Sequence, residues 1–87
     1  MKDKTKRINY QENESGIPYV EPPEKLKVNL SISEDEVLIE GNAESLEFLA
    51  AVFAAVSDKK GYHEHIDSEI YQGFRGRGKM LTIANLD

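Results

Sequence analysis

Apolar and polar residues alternate along residues 26–33. The apolar positions are Leu26, Val28, Leu30 and Ile32. A period of two predicts a β-strand with one face in the core and one face in water. Residues 37–40 are mostly apolar and follow an acidic turn at residues 34–36. Because this connection is short, we predict that the two strands form an antiparallel hairpin.

Apolar residues then recur at helical spacing over residues 43–57, which predicts an amphipathic helix. Asn42 precedes it as a typical N-cap residue, and Gly61 follows it as a stop signal. The bulky side chains predicted to pack on the sheet are those of Leu46, Leu49, Val52, Phe53 and Val56, with Phe48 at the edge. The opposite side carries Glu44, Glu47, Ala51, Ala54 and Ala55.

The rest of the chain predicts further strands. Residues 62–66 and 80–86 have strand patterns, and residues 70–72 predict a short strand or part of a loop. Residues 73–78 are too rich in glycine for regular structure. The predicted fold is therefore α+β, with the order β-β-α-β-β in one small antiparallel sheet and the helix on one face. We assign this domain to residues 25–87.

Residues 1–24 are predicted to form a flexible tail, because they hold few bulky apolar groups to offset the entropy of ordering them. Pro18, Pro22 and Pro23 interrupt any regular pattern. Residues 17–20 (Ile-Pro-Tyr-Val) are more apolar than their surroundings. They are predicted either to dock as an extended edge segment or to serve as a short partner-binding motif.

Composition narrows the class of protein. A chain of 87 residues without cysteine fits one domain and excludes disulfides and thiol catalysis. No apolar run approaches the roughly 20 residues that span a bilayer, and the basic N-terminus lacks the apolar segment of a signal peptide. We therefore expect a soluble, cytoplasmic protein without membrane partners. The formal net charge of −5 disfavours nucleic-acid binding, and it suits either solubility alone or a basic protein partner.

Residues 37–42 (Val-Leu-Ile-Glu-Gly-Asn), with the Leu/Ala-rich helix after them, and residues 61–67 (Gly-Tyr-His-Glu-His-Ile-Asp) are the most distinctive segments. With residues 79–83 as a closing strand, they resemble the immunity protein 32 family of bacterial polymorphic-toxin systems. The resemblance implies a small cytoplasmic protein that binds a cognate toxin domain and blocks it. It brings no catalytic residues, and the proline-containing tail and the glycine-rich loop depart from the family pattern.

Acidic residues gather around the hairpin turn and the start of the helix. We predict that Glu36, Glu40, Glu44 and Glu47 belong to the partner-binding surface. Such a patch raises the rate of association with a basic toxin domain. The alternative is that these carboxylates are solvated and favour the positive end of the helix dipole.

His63, His65 and Asp67 lie two residues apart, so all three point to one face of a predicted strand. We include them in the partner-binding surface. They are also weak candidates for a metal site, but zinc requires three or four converging ligands, and the chain has no further histidine. We therefore predict no metal and no cofactor. A polar strand face without a specific role is the other alternative.

Arg75, Arg77 and Lys79 lie in the glycine-rich segment, whose free backbone amides can contact phosphate or RNA. A flexible hairpin loop is the simpler interpretation. The alanine side of the helix lets two backbones approach closely, which makes self-association as a homodimer the first alternative for this chain.

No arrangement of serine, histidine and acidic residues predicts an enzyme. The function we predict is an immunity-type protein that neutralises a toxin domain by steric occlusion. The alternatives are a self-associating structural or regulatory domain and a small metal-binding enzyme that uses His63, His65 and Asp67.

Overall fold

The structure, a computed structural model, describes all 87 residues. It contains one helix and seven strands, so the α+β class predicted from the sequence is confirmed. In chain order the elements are β1 (Gln11–Glu12), β2 (Pro18–Tyr19), β3 (Val28–Ile32), β4 (Val37–Gly41), α1 (Ala43–Ser57), β5 (His63–Ile66), β6 (Phe74–Arg75) and β7 (Leu81–Ala84). No helix is both long enough and apolar enough to cross a bilayer.

The strands form three small sheets with the orders β1-β2, β4-β3-β6 and β5-β7. The β3–β4 hairpin is antiparallel, as the short acidic turn predicts. The single antiparallel sheet in the order β-β-α-β-β is not what the structure contains, because β6 pairs with β3 in parallel. A strand therefore lies inside the segment that the sequence marks as irregular.

The glycines of this segment serve close backbone packing. Gly73 has φ +97° and passes so close to Leu26 that a Cβ atom on Gly73 would lie 2.8 Å from the carbonyl carbon of Leu26. The carbonyl oxygen of Gly73 accepts a 3.0 Å hydrogen bond from the N–H of Val28, which joins the two chain segments. Phe74 follows directly and is only 2% exposed. The close approach at Gly73 thus places an aromatic ring in the core.

Side-chain hydrogen bonds define both ends of α1. Asn42 caps the N-terminus, since its Oδ1 accepts the N–H of Ser45 at 3.0 Å. The buried Oγ of Ser45 in turn accepts the N–H of Lys27 at 2.8 Å, which ties the helix to the start of β3. At the C-terminus, the side-chain amide of Asn85 donates to the carbonyls of Val56, Ser57 and Lys59.

The buried side of α1 differs from the predicted one. Leu46 and Phe53, predicted to face the sheet, are 47% and 55% exposed, while Ala51 and Ala55 are buried. The other side chains that α1 buries are Ser45, Phe48, Leu49, Val52 and Val56. The prediction assumed one covered side, whereas α1 contacts β2 as well as β4, β5 and β7. Part of the alanine side is therefore covered within the chain, and self-association through this side stays a prediction.

Several residues of the predicted tail, from Lys6 onwards, contact the domain. The β1–β2 hairpin buries Pro18, and Val20 packs on the core. Tyr10 donates a hydrogen bond to Asp58 beyond the end of α1, and Lys6 forms an exposed ion pair with Glu47. Docking of residues 17–20 as an extended segment therefore describes the structure, and mobility of the tail stays a prediction.

Candidate functional site

The four predicted acidic contact residues lie on two different elements. Glu36 precedes β4 and Glu40 lies within it, and both side chains are exposed. Glu44 and Glu47 lie on α1 and line the groove between this helix and the N-terminal segment. Lys6 of that segment pairs with Glu47. The structure therefore divides the acidic residues between the edge of a sheet and a groove that the chain itself partly covers.

The two histidines share one face of β5, as their spacing predicts. Their rings meet edge to face with centroids 4.8 Å apart, and Nδ1 of His65 lies 2.8 Å from Oγ1 of Thr82 on β7. Asp67 follows the strand, and its Oδ1 accepts the N–H groups of Glu69 and Ile70 in its own turn. No group of three or more His, Cys, Asp or Glu side chains is placed to hold a metal ion.

The cationic residues of the glycine-rich segment are spread along its backbone. Arg75 belongs to β6, where it is in register with Asn29 of β3. Arg77 has φ +53°, and the N–H of Lys79 is used in a 3.0 Å bond to the carbonyl of Gly76. This segment is therefore a strand followed by a tight turn that bonds to itself.

A polar cluster occupies the opposite face of β5. The Glu64 carboxylate accepts hydrogen bonds from the hydroxyls of Tyr62 at 2.7 Å and Tyr71 at 3.4 Å. Burial, and then the hydrogen bond to Glu64, raises the pKa of Tyr62 to about 12. Burial and the charge of Glu64 also raise the pKa of Tyr71. Every member of the cluster has a partner within it, so we assign it a structural role.

This cluster makes stability depend on pH in alkali. A tyrosine pKa that is higher in the folded state favours the protonated form, so its contribution is complete below the unfolded pKa of 10.0 and is lost as the pH rises towards about 12. Between those values the urea midpoint should therefore fall more for the wild type than for Tyr62→Phe. Urea unfolding on both sides of this range, with tyrosinate absorbance as a second readout, measures the difference. Equal falls in both proteins would contradict the assignment.

Exposed apolar side chains gather at the edge strand β4. We define the β4 edge surface as the exposed side chains of Ile32, Val37, Leu38, Ile39 and Leu46. Val37 is 64% exposed. Strand β4 ends the order β4-β3-β6, so no segment of the chain pairs with its outer edge. Edge strands with such apolar side chains are templates for pairing with another chain, unless charge, proline or a covering element protects them.

The hydrogen-bonding pattern of the β3–β4 hairpin shows which backbone groups of β4 point away from β3 and are free to pair with another strand. Ser33 donates its N–H to the carbonyl of Glu36 at 2.9 Å, so these two residues form a hydrogen-bonded pair. Hydrogen-bonded and non-hydrogen-bonded pairs alternate along an antiparallel ladder, so Leu38 and Glu40 bond to β3. Val28, opposite Gly41, donates its N–H to the other side, towards Gly73. The N–H and C=O groups of Val37, Ile39 and Gly41 therefore point outwards, away from β3.

Sequence reasoning identified β4 as a strand but missed its exposed apolar side chains. Three consecutive apolar residues, 37–39, do not alternate, which is typical of a strand covered on both faces. In the structure the strand lies at an edge and these side chains are exposed. The apolar run beside an acidic turn was the sequence feature that could have indicated an exposed apolar edge. It indicates that only if the strand lies at the edge of its sheet, which the sequence does not specify.

Comparison of the chain with protein-family models, with curated proteins and with solved structures finds no significant match.

Proposed function

We propose that this chain is a protein-binding domain of the immunity type, which attaches to a toxin domain and blocks it by steric occlusion. The observation that carries the proposal is the β4 edge surface, an unpaired strand edge with consecutive exposed apolar side chains. Exposed apolar side chains at such an edge are typical of surfaces that bind another protein. The link to toxins comes from the resemblance to the immunity protein 32 family.

The scaffold suits occlusion. The β3–β4 hairpin is held at its base by the hydrogen bonds of Ser45 and Asn42, which join it to the start of α1. A surface that is already ordered loses less conformational entropy when a partner binds. The helix-linked hairpin can therefore present the β4 edge surface as a preformed face that covers the active site of a toxin.

Two of the predicted acidic residues flank this face. Glu36 precedes β4 and Glu40 lies near its end. Such carboxylates favour a basic toxin and increase its association rate more than its final affinity. The His63 and His65 pair lies on the separate β5-β7 sheet, so we place the primary contact at β4 rather than at the histidines.

Co-expression with each candidate toxin domain encoded in a neighbouring gene tests the function. The wild type should restore growth, and Val37→Glu should not, because it places a charge among the exposed apolar side chains. Ile70→Glu is the matched control, since Ile70 is a β-branched apolar residue exposed to nearly the same degree as Val37, 67% against 64%, but lies outside the β4 edge surface. Unchanged killing in the presence of the wild-type chain would overturn the function.

A further inference from the structure

We propose that β4 recognises its partner by strand addition, pairing along its outer edge with a strand of alternating apolar and basic residues. This inference deepens the proposed function and rests on it, because it specifies how the partner is held and what chemistry its contact strand has. Three features of the β4 edge lead to it: the outward backbone groups, the apolar inner face and the acidic outer face.

The backbone of β4 offers a complete half of a β-ladder. The outward N–H and C=O groups of Val37, Ile39 and Gly41 have no partner strand in the chain. Backbone groups at an open strand edge bond to solvent water until a partner covers them. An added strand exchanges that water for main-chain hydrogen bonds, which is the recognition mode of proteins that capture extended peptides at a sheet edge.

The two faces of β4 differ in chemistry. Val37, Ile39 and Gly41 share the inner face with the buried residues of β3, and a Cβ atom on Gly41 would lie 3.6 Å from the Leu46 side chain. An added strand therefore meets apolar side chains on this face. Val, Ile or Leu at every second position of the partner would extend the core layer over Val37 and Ile39.

On the outer face, alternation places Glu36, Leu38 and Glu40 together. Residues two apart on an added strand lie opposite these positions, where lysine or arginine forms opposite-charge cross-strand pairs worth about 0.2–1 kcal/mol each. The same partner strand thus alternates apolar and basic residues.

Charge decides between such a partner and a second copy of this chain. Pairing β4 with its own copy would bring Glu36, Glu40 and the acidic turn at residues 34–36 of both chains to one interface. Each chain already has a net charge of −5, so the two copies repel one another. A basic strand reverses the sign of this interaction, and we therefore assign the edge to a basic partner.

Amide hydrogen exchange of the full chain tests the proposal with a synthetic heptapeptide in which lysine and valine alternate. In the free protein, the amides of Leu38 and Glu40 should be protected by β3, while those of Val37, Ile39 and Gly41 exchange. At about millimolar peptide the second set should become protected. A peptide that alternates glutamate and valine is the charge control and should leave exchange unchanged.

Substitutions separate backbone pairing from side-chain contact. Ile39→Pro removes an outward N–H without removing a bond to β3, and it should weaken binding of the lysine–valine peptide about tenfold or more. Ile39→Val keeps the N–H and most of the apolar side chain, so it should weaken binding far less than Ile39→Pro does. If Ile39→Pro fails to fold, as circular dichroism would show, the exchange pattern of the wild type decides alone.

Three results would overturn strand addition to a basic partner. The first is no protection of the outward amides by the lysine–valine peptide. The second is equal protection by both peptides. The third is protection without peptide that grows with protein concentration, which identifies a second copy. Failure of the proposed function is a separate outcome: peptide protection without toxin neutralisation removes the immunity role alone, and neutralisation by folded Ile39→Pro removes strand addition alone.

Discussion

Replacing Gly73 with alanine is expected to reduce the free energy of unfolding by about 3–5 kcal/mol, since strain and overlap add. The backbone of Gly73 has φ +97°, a conformation that side chains disfavour, and the new Cβ would overlap the carbonyl oxygen of Leu26. Backbone cannot move aside as a flexible side chain does. Because chains of 87 residues are stabilised by about 4–13 kcal/mol in total, the substitution should remove a large share of the stability.

Gly78→Ala is the matched control for this prediction. Gly78 also has positive φ, +85°, but nothing lies within 4 Å of its added Cβ. Only the backbone strain remains, which costs about 1–2 kcal/mol. Urea unfolding followed by circular dichroism measures both variants. Equal losses at the two glycines would show that the packing of Gly73 against Leu26 does not contribute.

Phe74→Ala is expected to cost about 3–5 kcal/mol, the usual range for removing a buried aromatic side chain. Phe74 belongs to the core cluster together with residues of α1 and β3. Its loss leaves a cavity where β6 joins β3 and removes the main apolar anchor of that two-residue strand. The parallel pairing of β6 should weaken with it.

Phe53→Ala is the comparison, because Phe53 is exposed on the helix although the sequence pattern places it in the core. Its substitution should change the free energy of unfolding by about 0.5 kcal/mol or less, as is usual at surfaces. Thermal and urea unfolding of both variants provide the measurement. A larger loss at Phe53 than at Phe74 would support the helix orientation expected from the sequence over the one in the structure.

Gly73 and Phe74 belong to the segment of the fold that the sequence predicts least well. The glycines at residues 73–78 predict irregular chain, since glycine loses the most conformational entropy on ordering. In the structure, the absence of a side chain at Gly73 lets two backbones approach and join as β3 and β6. A local sequence pattern does not distinguish a glycine in a flexible loop from a glycine that lets two backbones pack closely.

The sequence predicts some properties of the helix α1 and not others. Its bounds, its Asn42 cap and its amphipathic character follow from the sequence. Its orientation does not, because Ala51 and Ala55 are buried under a segment that was expected to be a tail. Alanine favours a helix equally well whether it faces water or a neighbouring segment. The sequence pattern of the helix therefore does not indicate that the N-terminal segment packs on its alanine side.

The candidate site divides in the same way. The sequence predicts that Glu36 and Glu40 contact a partner. Both lie beside the β4 edge surface, and their contact role stays a prediction. Their grouping with Glu47, His63 and His65 is not observed, since those residues lie on α1 and on a separate sheet. Which of them share a surface depends on how the elements pack.

Local pattern alone determined the β3–β4 hairpin, the helix from Asn42 onwards and the common face of His63 and His65, because each follows from residues a few positions apart. Only the tertiary structure decided that β6 pairs in parallel with β3, that the N-terminal segment covers one side of α1 and that β4 stays at an edge with its apolar side chains exposed. Those features depend on contacts between distant segments, whose free energies come from shape and burial rather than from the order of neighbouring residues.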